Sequence, residues 1–115
     1  MTVVSIPFME RFKEPMLNGT KTWTSRTKKY GKAGDYFVAF GRTFQIHKVS
    51  IKPLQEVVQH FKEEGLVSEE EARKVWASLH PVKGFVSTQL VFVHEFELVQ
   101  TEKCEGGQER NERRV

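Results

Sequence analysis

Three polar side chains occur at short intervals near the start of the chain: Lys21, Thr24 and Arg26. If residues 22–26 form a strand, Thr24 and Arg26 project from the same face, because successive side chains of a strand alternate between faces. Lys21 then lies at the entrance to that strand, beside them. Three hydrogen-bond donors that converge on one small volume suit an anion or a polar heterocycle. The alternative is a half-exposed strand whose Lys21 and Arg26 are simply solvated.

A run of basic residues overlaps this segment. Five basic side chains fall within twelve residues with no acid among them: Lys21, Arg26, Lys28, Lys29 and Lys32. Trp23 and Tyr30 are interleaved with them. Cations track phosphates and aromatic rings stack on bases, so the run is typical of nucleic-acid binding. A solvated basic loop is the alternative, and Trp23 equally fits the core.

A group of acidic residues offers a candidate carboxylate: Glu63, Glu64, Glu69, Glu70 and Glu71. The last three follow Ser68, a good helix N-cap residue, and the helix dipole favours acids in that first turn. Glu64 ends the preceding predicted helix, where the same dipole disfavours a carboxylate. A charge placed against the dipole makes Glu64 the acidic candidate for a functional role.

The remaining titratable side chains offer no metal site and no nucleophile. No histidine has metal-ligand spacing to another histidine, a cysteine or an acid: His47, His60, His80 and His94. His94 shares a strand face with Phe92 and Phe96, which predicts a hydrogen-bonded core residue. The single cysteine, Cys104, lies in a polar segment and cannot form an internal disulfide. We therefore expect no metal and no cofactor.

Short elements must position these candidates. In the first half of the chain, a helix over about residues 12–18 ends at Gly19, a typical C′ residue. Three strands follow, with a basic loop after the first: residues 22–26, 36–40 and 44–51. A turn at Gly41-Arg42 joins the last two. Apolar alternation changes phase in the third strand, which predicts a β-bulge near His47-Lys48.

Two helices and a strand complete the pattern. Apolar residues at helical spacing predict one helix that starts after Pro53 and stops at Gly65, and another from Ser68 to Pro81. The last strand covers residues 89–99 and has apolar residues on both faces. With an N-terminal strand, the order is β-α-β-β-β-α-α-β. This order predicts an α+β fold, a small, partly open β-barrel flanked by three short helices.

Bulk composition is that of a globular protein. The chain has 115 residues and a formal net charge of +3, with 38% hydrophobic and 29% charged residues. We expect one domain over residues 1–100 and a disordered polar tail over residues 101–115. The N-terminus lacks signal-peptide features, and no apolar run approaches the roughly 18 residues of a membrane helix. A cytoplasmic monomer that binds no membrane is the expectation.

The order and spacing of these motifs resemble the ASCH domain family, within the PUA-like superfamily. Two segments carry most of the resemblance: Leu17-x-Gly19-x-Lys21-Thr22-x-Thr24-x-Arg26 and Gly65-Leu66-x-Ser68-x-Glu70-Glu71. It covers roughly residues 4–99 and implies a β-barrel with a cleft between the barrel and its helices. It also implies binding of RNA or a modified nucleoside. The expected ligand-binding residues are then Lys21, Trp23, Thr24, Arg26, Lys28, Lys29 and Lys32.

One bacterial branch of this family removes the acetyl group from N4-acetylcytidine. The resemblance places its functional residues on Lys21, Thr24 and Glu64, with Glu63 as the alternative acid. In that hypothesis Thr24 attacks the amide, Lys21 removes its proton, and Glu64 protonates the leaving amine or activates water. This chain departs from the branch in its basic loop and in a longer helical segment containing Trp76. A binding module and an amidohydrolase both remain open.

Overall fold

Five strands form one mixed sheet that does not close into a barrel. The computed structural model of the chain describes residues 2–99. The strands are β1 (Val3–Val4), β2 (Trp23–Arg26), β3 (Tyr36–Ala39), β4 (Arg42–Pro53) and β5 (Leu90–Leu98). Their order is β1-β3-β4-β5-β2, so the short strands β1 and β2 are the two edges. β1 runs parallel to β3, and the other pairs are antiparallel.

Three helices accompany the sheet, so the predicted α+β class is confirmed. They are α1 (Lys13–Leu17, after a 3-10 turn at Glu10–Phe12), α2 (Leu54–Gln59) and α3 (Glu69–Leu79). Gly19 follows α1 at a φ of 86°, as expected of a C′ glycine. Ser68 caps α3, because its hydroxyl accepts a 3.0 Å hydrogen bond from the N–H of Glu71. Within residues 2–99, no helix has the length and apolarity needed to span a bilayer.

The predicted end of α2 is wrong. The helix ends at Gln59, well before Gly65, because His60 leaves the helical region with a ψ of 43°. Residues 60–65 instead form a tight turn, closed by hydrogen bonds such as that from the N–H of Gly65 to the carbonyl of Lys62 (2.9 Å). Glu64 therefore lies in the turn after α2, and the helix-dipole argument does not apply to it. The predicted tail, residues 101–115 with Cys104, lies outside the described residues.

The hairpin between β3 and β4 also differs from its prediction by one residue. Ala39 pairs with Arg42, so the turn residues are Phe40 and Gly41. Both have positive φ, 54° and 75°. A two-residue turn of this kind needs positive φ at both positions to match the twist of the strands. The sequence offered Gly41 as a turn signal but gave no reason to expect Phe40 in the left-handed region.

The predicted bulge is present in β4. Its pairing with β5 passes from Ile46 opposite Phe96 to Lys48 opposite Glu95, so His47 is the extra residue. The bulge lets the long strand bend, and the two ends of β5 bury opposite faces. Val91 and Val93 pack in one core cluster with residues of α2 and α3, whereas Phe96 packs with aromatic residues of β3 and β4.

His94 ties the loop before β3 to the edge strand β2. Its ring is fully buried, its Nδ1–H donates to the carbonyl of Thr24, and its Nε2 accepts from the N–H of Tyr30, both at 3.1 Å. These two partners require the neutral ring. Burial lowers the pKa of His94 below its ordinary 6.5. The prediction of a hydrogen-bonded core histidine is confirmed.

We expect the free energy of unfolding to fall as the pH drops below the unfolded histidine pKa of 6.5. The reason is that unfolded His94 takes up a proton that the folded ring excludes until its lower pKa is reached. His94→Phe leaves the N–H of Tyr30 unpaired, so the free energy of unfolding of this variant should be about 2–3 kcal/mol lower at neutral pH. The variant should also lack the pH dependence that comes from His94. Denaturant unfolding at several pH values measures both.

The control is Val93→Ala, which removes a buried side chain next to His94 but no ionisable group. It should retain the wild-type pH dependence. If the free energy of unfolding of His94→Phe depends on pH as strongly as that of the wild-type protein, another group causes the pH dependence.

Candidate functional site

A cavity of about 410 Å³ opens at the outer edge of β2, between that strand, the N-terminal segment and the last two helices. Sites for small ligands commonly enclose about 300–1,000 Å³. Most of the wall is apolar. The polar residues contributed by β2 and its surroundings are Lys21, Thr24, Ser25, Arg26, Thr27 and Glu64. The three side chains expected to converge on one volume therefore line one cavity, and Glu64 joins them.

Backbone hydrogen bonds hold Lys21 at the cavity wall. The N–H of Lys21 donates to the carbonyl of Pro15 at 2.8 Å. The N–H groups of Thr22 and Trp23 both donate to the carbonyl of Glu63, also at 2.8 Å. The strand entrance is therefore fixed to α1 on one side and to the turn after α2 on the other.

The amine of Lys21 is buried, with only 3% of the residue exposed. Its Nζ donates to the carbonyls of Trp23 (2.7 Å) and Glu64 (2.8 Å), and it lies 4.4 Å from the ring centroid of Phe12. Burial lowers the pKa of Lys21 from 10.5 to about 8, with Glu64 opposing the shift and Arg26 adding to it. In the neutral amine the two N–H bonds serve the two carbonyls, and the lone pair is free to accept a proton.

Both oxygens of the Glu64 carboxylate have partners. Oε1 lies 3.5 Å from Lys21 Nζ, and Oε2 accepts a 2.6 Å hydrogen bond from Ser25 Oγ. Glu63 lies outside the cavity lining, and its carboxylate is 3.6 Å from His60 Nδ1. The structure therefore brings Glu64, rather than Glu63, to the buried amine.

Thr24 and Arg26 form the second polar group of the cavity. Arg26 Nε donates to Thr24 Oγ1 at 2.9 Å, and a terminal nitrogen of the same guanidinium donates to the carbonyl of Pro7 at 2.5 Å. The guanidinium also lies over the rings of Phe8 and Tyr30, at 5.0 and 5.4 Å. Burial lowers the pKa of Arg26. Because Thr24 Oγ1 accepts from Arg26, its own proton is available for another acceptor.

The lysines of the basic loop lie outside the cavity lining. Lys28 and Lys29 are exposed, and Lys28 Nζ lies 5.1 Å from the ring centroid of Tyr30, which itself lines the cavity. Lys32 Nζ lies 3.5 Å from a carboxylate oxygen of Asp35. The loop therefore places cations next to the cavity wall, not inside the cavity.

Trp23 also lies outside the cavity lining, although it was among the expected ligand-binding residues. Its ring stacks on that of His60 with a centroid distance of 4.7 Å. It packs partly buried against the core cluster that contains Val91 and Val93. This is the core role that the sequence left open for Trp23.

Sequence reasoning missed several residues of the site. Those that line the cavity are Phe8, Ser25, Tyr30, Trp76 and His80. Ser25 alternates with Thr24 along β2 and therefore projects from the opposite strand face. Because β2 is an edge strand, the cavity reaches side chains from both of its faces. The sequence held no signal for this, since edge position is decided by pairing with the distant strand β5.

Among residues 2–99, no three His, Cys, Asp or Glu side chains come close enough together to hold a metal ion. The residues that line the cavity instead carry an amine, a guanidinium, four hydroxyls, an imidazole and one carboxylate. Such a set has the donors and acceptors to hydrogen-bond a polar organic ligand, and its amine and carboxylate can exchange a proton.

No family model and no curated protein matches the sequence. Solved structures do match. An ASCH domain from Lactobacillus crispatus JV V101 gives a TM-score of 0.59 at 13% identity, covering 84% of this chain and 78% of that one. The fold is that of an ASCH domain.

Two further structures share this ASCH fold. A protein from Enterococcus faecalis V583 gives a TM-score of 0.59 at 22% identity, covering 85% of this chain and 75% of that one. A protein from Pyrococcus furiosus gives 0.57 at 15% identity, covering 87% and 96%. At these identities the likeness is one of fold, so function must be argued from the cavity.

Gly65 and Gly19 provide a matched test of how Lys21 is positioned. Both have positive φ, 84° and 86°, so alanine at either should cost about 1–2 kcal/mol of backbone strain. A Cβ on Gly65 would lie 2.8 Å from the Cβ of Lys21, whereas one on Gly19 meets nothing within 4 Å. We expect the added backbone strain to destabilise both variants by a similar amount. Only Gly65→Ala should also displace the buried amine.

Denaturant unfolding gives the stability of each variant, and lysine ε-carbon NMR gives the titration of Lys21. Gly65→Ala should move the titration midpoint away from about 8, and Gly19→Ala should leave it in place. Identical Lys21 titrations in the two variants would mean that the Gly65 contact does not position the amine.

Proposed function

We propose that the cavity binds a modified nucleoside and hydrolyses an amide on its base, with N4-acetylcytidine as the candidate substrate. The observation that carries this proposal is the buried amine of Lys21, held beside Glu64 at the cavity wall with a pKa lowered to about 8. A solvated lysine would keep its ordinary pKa. An amine that loses its proton near neutral pH is suited to general-base catalysis.

In the proposed reaction, neutral Lys21 accepts the proton of Thr24 Oγ1 as that oxygen attacks the acetyl carbonyl carbon. The bond from the carbonyl carbon to the exocyclic nitrogen breaks, and Lys21 returns the proton to that nitrogen. Cytidine leaves, and Thr24 carries an acetyl ester. Glu64 then takes a proton from water as the water attacks the ester, and it passes this proton to Thr24 Oγ1 as the ester bond breaks. This step releases acetic acid and restores the Thr24 hydroxyl and the Glu64 carboxylate.

Arg26 suits the charge that this reaction develops. Its guanidinium already bonds Thr24 Oγ1 and lies, partly buried, between the carbonyl of Pro7 and two aromatic rings. A fixed cation next to the attacking oxygen favours the negative charge of the tetrahedral intermediate. The rings of Phe8 and Tyr30 add aromatic surface to the cavity wall on which this guanidinium rests.

We expect the purified protein to release cytidine from N4-acetylcytidine, with a rate that rises with pH through about 8 as Lys21 loses its proton. Lys21→Met, Thr24→Val and Glu64→Gln should each lower kcat/KM by about 100-fold or more, because each removes a group that handles the proton or the acetyl group. Chromatography of cytidine after incubation gives the rates.

The matched control is Lys28→Ala, which removes an exposed cation from outside the cavity. It should keep the wild-type rate on the free nucleoside. Full activity in Lys21→Met would exclude the proposed mechanism. If the wild-type protein shows no turnover, the proposed hydrolysis is wrong and ligand binding is the remaining function of the cavity.

RNA binding is the second candidate function. The observation that favours it is the position of Lys28 and Lys29, exposed beside the Tyr30 wall of the cavity. Cations there can hold the phosphates that flank a base bound in the cavity.

If the loop binds RNA, Lys28→Ala/Lys29→Ala should weaken binding of single-stranded RNA and lower the slope of log K against log salt by about 1.4. Titration at several salt concentrations measures the slope. The control variant Lys48→Ala/Lys83→Ala removes two other exposed lysines. Equal losses in the two double variants would mean that binding is not localised to the loop.

A further inference from the structure

The carboxylate of Glu64 lies closer to a neutral hydroxyl than to the amine of Lys21. Its Oε2 accepts from Ser25 Oγ at 2.6 Å, a normal length for a hydroxyl that donates to a carboxylate. Its Oε1 lies 3.5 Å from Lys21 Nζ, beyond the roughly 2.7–2.9 Å of an ammonium that donates to a carboxylate. The pair with the stronger electrostatic attraction therefore has the longer contact.

The hydroxyl that holds Oε2 belongs to a fixed part of the sheet. Ser25 lies in β2 and pairs with Val93 of the long strand β5. The backbone of β2 is also tied to the turn after α2, because the N–H of Trp23 donates to the carbonyl of Glu63 at 2.8 Å. With both backbones held, the position of Ser25 Oγ determines where the carboxylate of Glu64 lies.

The distance between the carboxylate and the amine affects the charge of Lys21. The charged side chains that act on the amine are Glu64, from the turn after α2, and Arg26, from β2. The 3-10 turn adds the uncharged ring of Phe12. Burial lowers the pKa of Lys21 to about 8, and Glu64 opposes this shift. A carboxylate at hydrogen-bond distance would oppose it more strongly, because Coulomb attraction grows as the distance falls.

We propose that Ser25 is a positioning residue whose hydroxyl holds the Glu64 carboxylate back from the Lys21 amine, so that the amine can lose its proton. The use of that amine as a base rests on the proposed hydrolysis, whereas the position of the carboxylate rests on the two distances. Without the hydroxyl, the carboxylate turns to the amine and forms a tight ion pair. Lys21 then stays charged at neutral pH and cannot accept the proton of Thr24.

The titration of Lys21, followed by lysine ε-carbon NMR without substrate, tests the position of the carboxylate. In Ser25→Ala we expect the midpoint to rise from about 8 by about 1 pH unit, because the carboxylate moves closer to the amine. Ser25→Thr keeps a hydroxyl and should titrate near the wild-type midpoint. Ser25→Val has the shape of Ser25→Thr but no hydroxyl, so it should titrate like Ser25→Ala.

The matched control is Ser50→Ala. Ser50 lies on β4 opposite Val93, as Ser25 does on β2, and its Oγ is buried with no hydrogen-bond partner in residues 2–99. The control therefore removes the same group from the same row of the sheet without touching Glu64, and the Lys21 midpoint should not move. Denaturant unfolding checks that each variant is folded.

Three results of the titration would overturn the inference. The first is a Lys21 midpoint that is unchanged or lower in Ser25→Ala and Ser25→Val. The second is an equal rise in Ser50→Ala, and the third is a midpoint in Ser25→Thr as high as that in Ser25→Val.

Hydrolysis of N4-acetylcytidine separates this inference from the proposed function. A midpoint higher by 1 pH unit leaves about 10-fold less neutral amine at about pH 7 and changes it little at about pH 9.5. The loss of kcat/KM in Ser25→Ala should follow this pattern. A loss of equal size at both pH values is that of a merely structural residue and would overturn the inference. If the wild-type protein hydrolyses nothing, the proposed function fails, and the Lys21 titration still decides whether Ser25 positions the carboxylate.

Discussion

The burial of the Lys21 amine is the constraint on which the site depends. An ammonium removed from water costs several kcal/mol unless partners replace its hydration. The partners here are two backbone carbonyls and the carboxylate of Glu64. The carboxylate and one of the carbonyls belong to the turn after α2. If the turn moved, the ammonium would either become exposed to water or stay buried without these partners. The carboxylate is in turn fixed by Ser25, on the same strand that Lys21 enters. Strand, turn and charge therefore form one unit.

The edge position of β2 explains why there is a cavity at all. An edge strand normally offers its free N–H groups to another strand or shields them. At the start of β2 the N–H groups of Thr22 and Trp23 instead bond the carbonyl of Glu63. A turn fills much less of the edge than a strand would. The space left beside Thr24 and Arg26 is closed by the N-terminal segment and by α2 and α3, whose lining side chains are mainly apolar.

Local signals in the sequence were sufficient for the elements but not for the site. The caps of α1 and α3, at Gly19 and Ser68, and the bulge in β4 depend on neighbouring residues, and each was predictable. The sequence favoured Glu64 as the functional acid because it was predicted to end a helix. In the structure α2 ends at Gln59, so this reason does not hold. Glu64 reaches Lys21 through contacts between residues 43 positions apart. Trp76 looked like one residue of an apolar helix stripe, since no local pattern reveals an unpaired N–H.

The cavity keeps two groups that folding alone does not explain. The amine of Lys21 is buried at the expense of its hydration, and the N–H of Trp76 is buried without an acceptor. An apolar side chain of similar shape at either position would avoid these costs. Local rules of stability fail most often where function requires it. A polar ligand at the wall formed by Lys21 and Glu64 would offset the cost of the buried amine by giving it a further partner, whereas the indole nitrogen is enclosed by protein. The buried amine of Lys21 is therefore the feature of the cavity that stability alone explains least.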